Sequence, residues 1–174
     1  MATDKIILYI FLLVAAMAVL GLTSCVTEGE PKNTGVSKGD HLPMFSVTLD
    51  NGRTLTTHSL RGKMVLIELF NTGCPDCRES LPLINSLYEN LKDDPSVEIF
   101  AIARAEESEE LNRYWSENNL TLPYSPQPDR RVYELFATTG IPRIYIADRE
   151  GIITAAFGPE DHPTLTHLTN LLKP

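Results

Sequence analysis

Two stretches in the middle of the chain have the hydrophobic pattern of buried strands. Met64–Phe70, between Gly62 and Gly73, and Val97–Ala103 are continuous and mostly apolar runs. Runs of this kind are typical of parallel strands that are covered on both faces of a sheet. Pro75–Leu91, between them, carries apolar residues at helical spacing. The pattern therefore predicts a β-α-β unit.

Shorter alternating segments precede this unit. Residues 45–49 and 53–57 alternate between apolar and polar side chains, and the intervening Asp50-Asn51-Gly52 is a strong turn sequence. Alternation around such a turn predicts a β-hairpin.

The second half of the chain continues as helices and strands. The pattern predicts an inserted helix over 106–119, an irregular connection where three prolines fall within 123–128, and a short helix over 130–138. Strands over 141–147 and 152–157 and a last helix over 163–172 follow.

This order of elements predicts an α/β fold. It implies a central mixed sheet with helices on both faces, an N-terminal β-hairpin and an inserted helix. The 174 residues, 43% hydrophobic and 22% charged, fit one compact domain and a short leader. The formal net charge of −8 argues against nucleic acid as a partner.

The leader has the order of an export signal. Residues 6–22 follow Lys5 without a charge, and Leu22-Thr23-Ser24-Cys25 comes next. This tetrapeptide resembles the lipobox of bacterial lipoproteins, which implies a signal peptide over 1–24 and lipidation of Cys25. An uncleaved signal anchor is the alternative, since the uncharged run approaches the length of a membrane span. Either places the domain outside the cytoplasmic membrane.

Residues 25–39 join the leader to the domain. Their polar, glycine- and proline-containing sequence has few large apolar side chains, which predicts a flexible tether that begins at the lipidated cysteine. The folded domain is expected over 40–174.

The other two cysteines form the C-x-x-C pair Cys74 and Cys77. Three cysteines are too few for a disulfide framework, and the four histidines lie far away in sequence, so we expect no metal site. A redox-active dithiol that needs no further cofactor is the favoured interpretation. Half of a zinc site or an inert pair are the alternatives.

Four segments occur in an order that resembles the thioredoxin-like superfamily. They are Phe70-Asn71-Thr72-Gly73 after a buried strand, Cys74-Pro75-Asp76-Cys77 opening a helix, Gly140-Ile141-Pro142 opening a strand, and the turn Asp148-Arg149-Glu150-Gly151. With the hairpin and the inserted helix, residues 40–174 are similar to membrane-tethered lipoprotein thiol-disulfide oxidoreductases of the TlpA/ResA type.

Cys74 is the expected nucleophile and Cys77 the resolving thiol. A helix N-terminus directs amide groups at the Cys74 sulfur and favours its thiolate form, which is the form that attacks disulfides. Cys77 lies one helical turn later, where it can attack the mixed disulfide within the same chain.

Glu68 is a candidate proton acceptor. It stands where thioredoxin carries a buried acid, and burial would raise its pKa so that it could take the proton of Cys77. A wet cavity or a basic partner for Glu68 is the alternative. ResA-like relatives instead carry an acid at the position of Ser80.

The resemblance also assigns roles to the flanking residues. It implies a cis peptide bond before Pro142 and a loop whose Ile141 backbone binds an extended substrate strand. Pro75 and Asp76 lie between the cysteines and tune the redox couple. A carboxylate there disfavours the thiolate and so favours a reductase, although Arg78 opposes this effect.

The predicted function is an extracytoplasmic protein disulfide reductase. It would act on envelope proteins or apocytochromes on the periplasmic side of a bacterial membrane, inner or outer, and take electrons from a membrane thiol donor of the DsbD type. The alternatives are a peroxiredoxin-like peroxidase, which would need Thr or Ser where Asn71 stands, and a non-enzymatic binding module. Trp115 is expected in the core.

Overall fold

The computed structural model describes residues 35–173. Its centre is a five-stranded mixed sheet in the order β5-β4-β3-β6-β7. Strands β3, β4 and β5 are parallel to one another, β6 pairs with β3 in the antiparallel direction, and β7 pairs with β6 in the antiparallel direction. The strands are β3 Met64–Phe70, β4 Val97–Ala103, β5 Tyr124–Ser125, β6 Arg143–Ala147 and β7 Ile153–Phe157, after the hairpin strands β1 Ser46–Thr48 and β2 Thr54–Thr56. The predicted mixed sheet is confirmed.

Strand β3 lies in the middle of the sheet and leads into the cysteine pair. All of its residues are buried, and its bounds are those that the apolar run predicts. Glu68 pairs with Ala101 on β4 and with Ile144 on β6. Glu68 thus lies on the central strand of the sheet, with a neighbouring strand on each side.

Helices cover both faces, as predicted. They are α1 Pro75–Leu91, α2 Ser108–Glu117, α3 Arg131–Phe136 and α4 Leu165–Leu172. On one face α4 contacts both α1 and β3. The inserted helix α2 places Trp115 on the same face, with its ring 5.2 Å from that of Phe70, and the Trp115 indole donates to the Leu122 carbonyl at 2.7 Å. The predicted core role of Trp115 is confirmed.

The opposite face is covered by α3 and by the hairpin segment. Phe136 of α3 lies 5.3 Å from Tyr145 of β6 and 5.6 Å from Phe45, between ring centroids, and Phe45 also contacts Phe100 of β4. The hairpin itself pairs Ser46 with Thr56 through Thr48 with Thr54, as a separate two-stranded sheet. The predicted short helix and the predicted N-terminal hairpin are both present.

The elements β6, β7, α3 and α4 are shorter than predicted by one or two residues at an end, and two other elements differ in ways that have a structural reason. The inserted helix begins at Ser108 rather than at residue 106, because Glu106 bonds to Thr72 and Gln127 instead of entering the helix. The connection that the prolines predict as irregular contains β5, which pairs with β4 between Pro123 and Pro126. Two residues carry no periodicity, so the pattern cannot reveal such a strand.

The last residues of the predicted tether contact the domain. The amide of Val36 donates to the Phe136 carbonyl at 2.9 Å, and that of Gly39 donates to Ile153 at 2.8 Å. Cys25, the predicted signal peptide and the first part of the tether lie outside the described residues. No helix within residues 35–173 is long and apolar enough to span a bilayer.

Candidate active site

The two cysteines lie where strand β3 passes into helix α1. Cys74 is the N-cap residue of α1 in an extended conformation, and Pro75 occupies the first turn. Proline suits this position because the first amide groups of a helix have no partner within it. Cys74 is half-buried and Cys77 is fully buried, and both are free thiols. The sulfur that a substrate can reach is therefore carried by the residue at the positive end of the helix dipole.

The loop before Cys74 is held by Asn71. The Asn71 side-chain oxygen accepts from the amide of Gly73 at 2.9 Å, and its side-chain nitrogen donates to the Arg104 carbonyl at 3.2 Å. Its backbone carbonyl accepts from the Cys74 amide at 3.0 Å. Asn71 thus has a local structural role at the position where the peroxidase alternative needs a hydroxyl.

Two charged side chains also bind the loop at Thr72. Buried Glu106 accepts hydrogen bonds from the amide of Thr72, at 2.8 Å, and from its hydroxyl. The guanidinium of Arg78 donates to the Thr72 carbonyl at 2.5 Å. These contacts come from both sides of the loop, so they fix the backbone immediately before Cys74.

Cys77 lies beneath Cys74, away from solvent. Burial raises the pKa of the Cys77 thiol far above its ordinary value, and the charges of Cys74 and Glu68 act in the same direction. A hydrogen bond from the Asn71 backbone opposes the increase without cancelling it. Cys77 is therefore protonated at neutral pH and needs an acceptor before it can attack.

Glu68 is the carboxyl group next to this thiol. It has no exposed surface, and burial raises its pKa to about 8, against the lowering effect of a hydrogen bond from Ser80. The Ser80 hydroxyl bonds to Oε1 of Glu68, whereas Oε2 is buried and has no partner among the described residues. Of the predicted alternatives, the structure supports the buried acid, because no basic side chain within residues 35–173 pairs with it.

The loop that precedes β6 faces Cys74. The peptide bond between Ile141 and Pro142 is cis, as the resemblance predicts, and the Cys74 thiol lies 3.7 Å from the Ile141 carbonyl oxygen. Gly140 has a φ of +76°, and a Cβ atom there would come within 2.9 Å of the Pro159 side chain. Only glycine fits this approach. The Tyr133 hydroxyl donates to the Gly140 carbonyl at 2.9 Å.

A cleft opens beside the cysteines, and we call it the α1 cleft. Its apolar wall contains Leu83, Pro142 and Ile144, while Asp76 and Glu79 add acidic groups. Ser80 lies on its α1 side, and Asp161 to Pro163 close it from the chain that leads to α4.

The structure thus brings the predicted residues of the folded domain together. Cys74, Cys77, Glu68, Ile141 and Pro142 form one site, with Pro75 and Asp76 on its exposed rim. Sequence reasoning missed the contributions of Glu106, Arg78 and Tyr133. Each acts through a hydrogen bond to a backbone group of the site, and no motif in the sequence indicates these bonds. Within residues 35–173, no three His, Cys, Asp or Glu side chains are grouped to hold a metal ion.

A family model described as "AhpC/TSA family" matches residues 38–156. The match includes the hairpin, both cysteines, Glu68 and the cis-proline loop. The chain belongs to the AhpC/TSA family.

Curated relatives place this AhpC/TSA-family chain more narrowly. It is 24% identical over 140 residues to the thiol-disulfide oxidoreductase ResA of Bacillus subtilis, covering 80% of this chain and 78% of that protein. It is 27% identical over 123 residues to the thioredoxin-like protein YneN of the same species, covering 70% and 72%. The predicted resemblance to ResA-type thiol-disulfide oxidoreductases is confirmed.

Solved structures support the same fold for this family member. A Bacteroides thetaiotaomicron protein that was proposed to be a disulfide isomerase aligns with a TM-score of 0.70 at 27% identity, over 79% of this chain and 86% of that one. StoA of Bacillus subtilis aligns with a TM-score of 0.65 at 19% identity, over 77% and 100%, which shows the shared fold. The predicted thioredoxin-like fold is confirmed.

Proposed function

We propose that this protein is an extracytoplasmic disulfide reductase in which Cys74 attacks the substrate and Cys77 resolves the intermediate. The observation that carries the proposal is the difference between the two thiols. Cys74 is half-buried at the helix start and faces the cis-proline loop, whereas Cys77 is sealed one turn later. A substrate disulfide can therefore meet only the first sulfur.

The reaction proceeds in two exchanges. The Cys74 thiolate attacks one sulfur of the substrate disulfide, which forms a mixed disulfide and releases the other substrate sulfur as a thiolate. Cys77 then loses its proton and attacks the Cys74 sulfur, which releases the second substrate thiolate. Two electrons pass to the substrate, and the protein is left with a Cys74–Cys77 disulfide.

Glu68 is the proposed acceptor of the Cys77 proton. It is the buried carboxyl whose charge the Cys77 thiol senses, and its pKa of about 8 lies closer to that of a thiol than an ordinary glutamate does. Proton transfer is most effective when the pKa of the donor and the pKa of the acceptor approach each other near the working pH.

The cis-proline loop is the proposed substrate-binding edge. The Ile141 carbonyl already lies 3.7 Å from the Cys74 thiol, so a strand laid along this loop would place its cysteine beside Cys74. Such binding uses backbone hydrogen bonds, which suits clients of differing sequence.

The direction of the reaction is assigned from Asp76. Its carboxylate is exposed in the first turn of α1, between the cysteines, where it adds a negative charge beside the dithiol. A less stable thiolate makes a more reducing couple, and Pro75 holds the turn that presents it. A thiol donor in the membrane, of the DsbD type, would return the disulfide to the dithiol.

Lipidation of Cys25 would hold the domain on the periplasmic side of the envelope. The support is the leader sequence, since Cys25 lies outside the described residues. Misoxidised envelope proteins and apocytochromes whose cysteines have been oxidised to a disulfide are the proposed clients, because both can carry disulfides in that compartment.

Trapping the intermediate tests this function. The full chain carrying Cys77→Ser should accumulate a mixed disulfide with a disulfide-bonded protein such as insulin, because nothing remains to resolve it. Cys74→Ser should form none and reduce no substrate. Equal activity of the wild type and Cys74→Ser would refute the proposal, and Cys25→Ser, which leaves both thiols in place, is the matched control.

A further inference from the structure

Among residues 35–173, the buried carboxyl of Glu68 has one hydrogen-bond partner, which lies on helix α1. The Ser80 hydroxyl donates to Oε1 of Glu68 and also lies 3.2 Å from the Cys77 carbonyl. Ser80 is half-buried and lines the α1 cleft, whereas Glu68 does not reach the cleft. The hydroxyl therefore lies between the carboxyl group and this cleft.

Glu68 needs such a connection because its protonation state must change during each cycle. A carboxyl with a pKa of about 8 carries its own proton at neutral pH, so it has to release that proton before it can accept the one from Cys77. After the second exchange it must lose the acquired proton as well. A hydroxyl can donate one proton while accepting another, which makes it a suitable intermediate.

Within residues 35–173, no other side chain that can exchange a proton is hydrogen-bonded to Glu68. Its strand neighbours Ala101 and Ile144 carry no proton to exchange. Cys74 and Cys77 on α1 are the reacting thiols. Tyr114 on α2 senses the Glu68 charge, but burial raises the pKa of that phenol, so it holds its proton at neutral pH.

Two charged groups on this face, Arg78 and Glu106, are bound to the Thr72 loop, and others lie on the cleft side of Ser80. Asp76, Glu79, Asp161 and His162 line the cleft. His167 of α4 is directed at the Phe157 ring, with the centroids 5.6 Å apart. The cleft groups can take up a proton once it has passed the hydroxyl.

We propose that Ser80 is a positioning residue that carries the proton of Glu68 to and from the α1 cleft. The proposal rests on the proposed role of Glu68 in the resolving step. In this chain the strand supplies the acid, and the helix supplies the hydroxyl that connects it with solvent.

The hydroxyl also favours the ionised form of Glu68, because its hydrogen bond is made to the carboxylate. Losing one hydrogen bond to a charged group corresponds to a shift of about one pH unit or more. Ser80→Ala should therefore move the titration of Glu68 upward and leave less carboxylate at neutral pH.

The experiment follows the two exchanges separately in the full chain. Stopped-flow mixing of the reduced protein with a fluorescent disulfide peptide gives the rates of mixed-disulfide formation and of its resolution over a range of pH. Ser80→Ala should raise the midpoint of the resolution step by about one pH unit and slow it about tenfold below that midpoint. The first exchange should keep its rate.

Three further variants make the result specific. Ser80→Thr, which keeps the hydroxyl, should restore the wild-type profile. Ser86→Ala removes a serine from the same helix whose hydroxyl donates to the Pro82 carbonyl, away from Glu68, so it should change nothing. In a Glu68→Gln background, Ser80→Ala should have no added effect on the pH profile.

Unchanged resolution in Ser80→Ala, or an equal shift in Ser86→Ala, would overturn the assignment of Ser80. The proposed function fails in a different way, since the wild type would then form no mixed disulfide at Cys74. Infrared titration of the Glu68 carboxyl gives a readout that does not depend on turnover, and an identical midpoint in wild type and Ser80→Ala would also overturn the proposal.

Discussion

Glu106 accepts hydrogen bonds from both the amide and the hydroxyl of Thr72, two residues before Cys74. The contact links the segment that leads into α2 with the loop that leads into α1. Because Glu106 is buried, its carboxylate is shielded from competing water. The inserted helix is thereby connected to the active-site loop through the residue that lies just before it.

Removal of this carboxylate should destabilise the domain. Glu106→Ala leaves the Thr72 amide buried without an acceptor, which costs about 1–3 kcal/mol. Chemical denaturation of the reduced protein measures the loss. The exposed neighbour Glu107, whose side chain makes no capping bond, is the matched control, and Glu107→Ala should stay within about 0.5 kcal/mol of wild type. Equal losses in the two variants would contradict a specific role for Glu106.

The raised pKa of Glu68 predicts how stability depends on pH. The folded protein keeps the Glu68 proton up to a pH of about 8, whereas the unfolded chain releases it near the ordinary value of 4.5. Between those values the folded state binds more protons than the unfolded chain. The contribution of Glu68 to the free energy of unfolding is therefore greatest below the window and falls as pH rises through it, with a slope of up to about 1.4 kcal/mol per pH unit.

Glu68→Gln should remove that component. Its free energy of unfolding, measured in denaturant across the same window, should decline less steeply than that of wild type. Glu79→Gln, an exposed carboxyl on the α1 cleft, should follow the wild-type curve. Parallel curves for wild type and Glu68→Gln would show that the buried carboxyl does not titrate in this range.

Asp76 should set the reduction potential of the cysteine pair. We expect the wild-type couple near or below thioredoxin's value of about −270 mV. Asp76→Asn should raise it, and Asp76→His should raise it further, by roughly 30 mV or more, because the imidazolium favours the thiolate. Equilibration in glutathione or dithiothreitol buffers followed by thiol trapping gives the value. Asp76→His with an unchanged or lower potential would remove Asp76 as a tuning residue.

Cys25 should determine where the protein is found. In cells, Cys25→Ser should abolish incorporation of labelled fatty acid and reduce membrane retention, since a doubly acylated cysteine is a firm anchor. Cys74→Ser keeps the leader intact and should fractionate as wild type does. Full membrane retention of Cys25→Ser would favour the uncleaved anchor instead.

The regular elements of this fold could be predicted because their patterns are strong. The run Met64–Phe70 is apolar throughout except for Glu68, and its bounds coincide with those of β3. Helix α1 likewise follows the predicted range. Strand β5 escaped prediction since two residues show no repeat and the flanking prolines indicate a loop. Propensity says little where a neighbouring strand supplies the hydrogen bonds.

The centre of the site could be predicted from motifs, but its support could not. The spacing of Cys74 and Cys77 and the Ile141–Pro142 pair are local signals. Contacts such as that of Glu106 with Thr72 join residues 34 positions apart. Nothing in the sequence near Glu106 distinguishes it from the exposed acidic residues that follow it.

Strand β5 closes one side of the sheet in a way that affects the behaviour of the protein in a crowded solution. Pro123 and Pro126 flank its two residues and have no amide hydrogen to offer, and Ser125 turns its hydroxyl inward to the Thr48 carbonyl at 2.7 Å. Long exposed sheet borders recruit extended chains and seed polymers. An edge strand this short and flanked by prolines offers an incoming chain few backbone hydrogen-bonding groups. This protects the molecule from aggregation along this edge of the sheet.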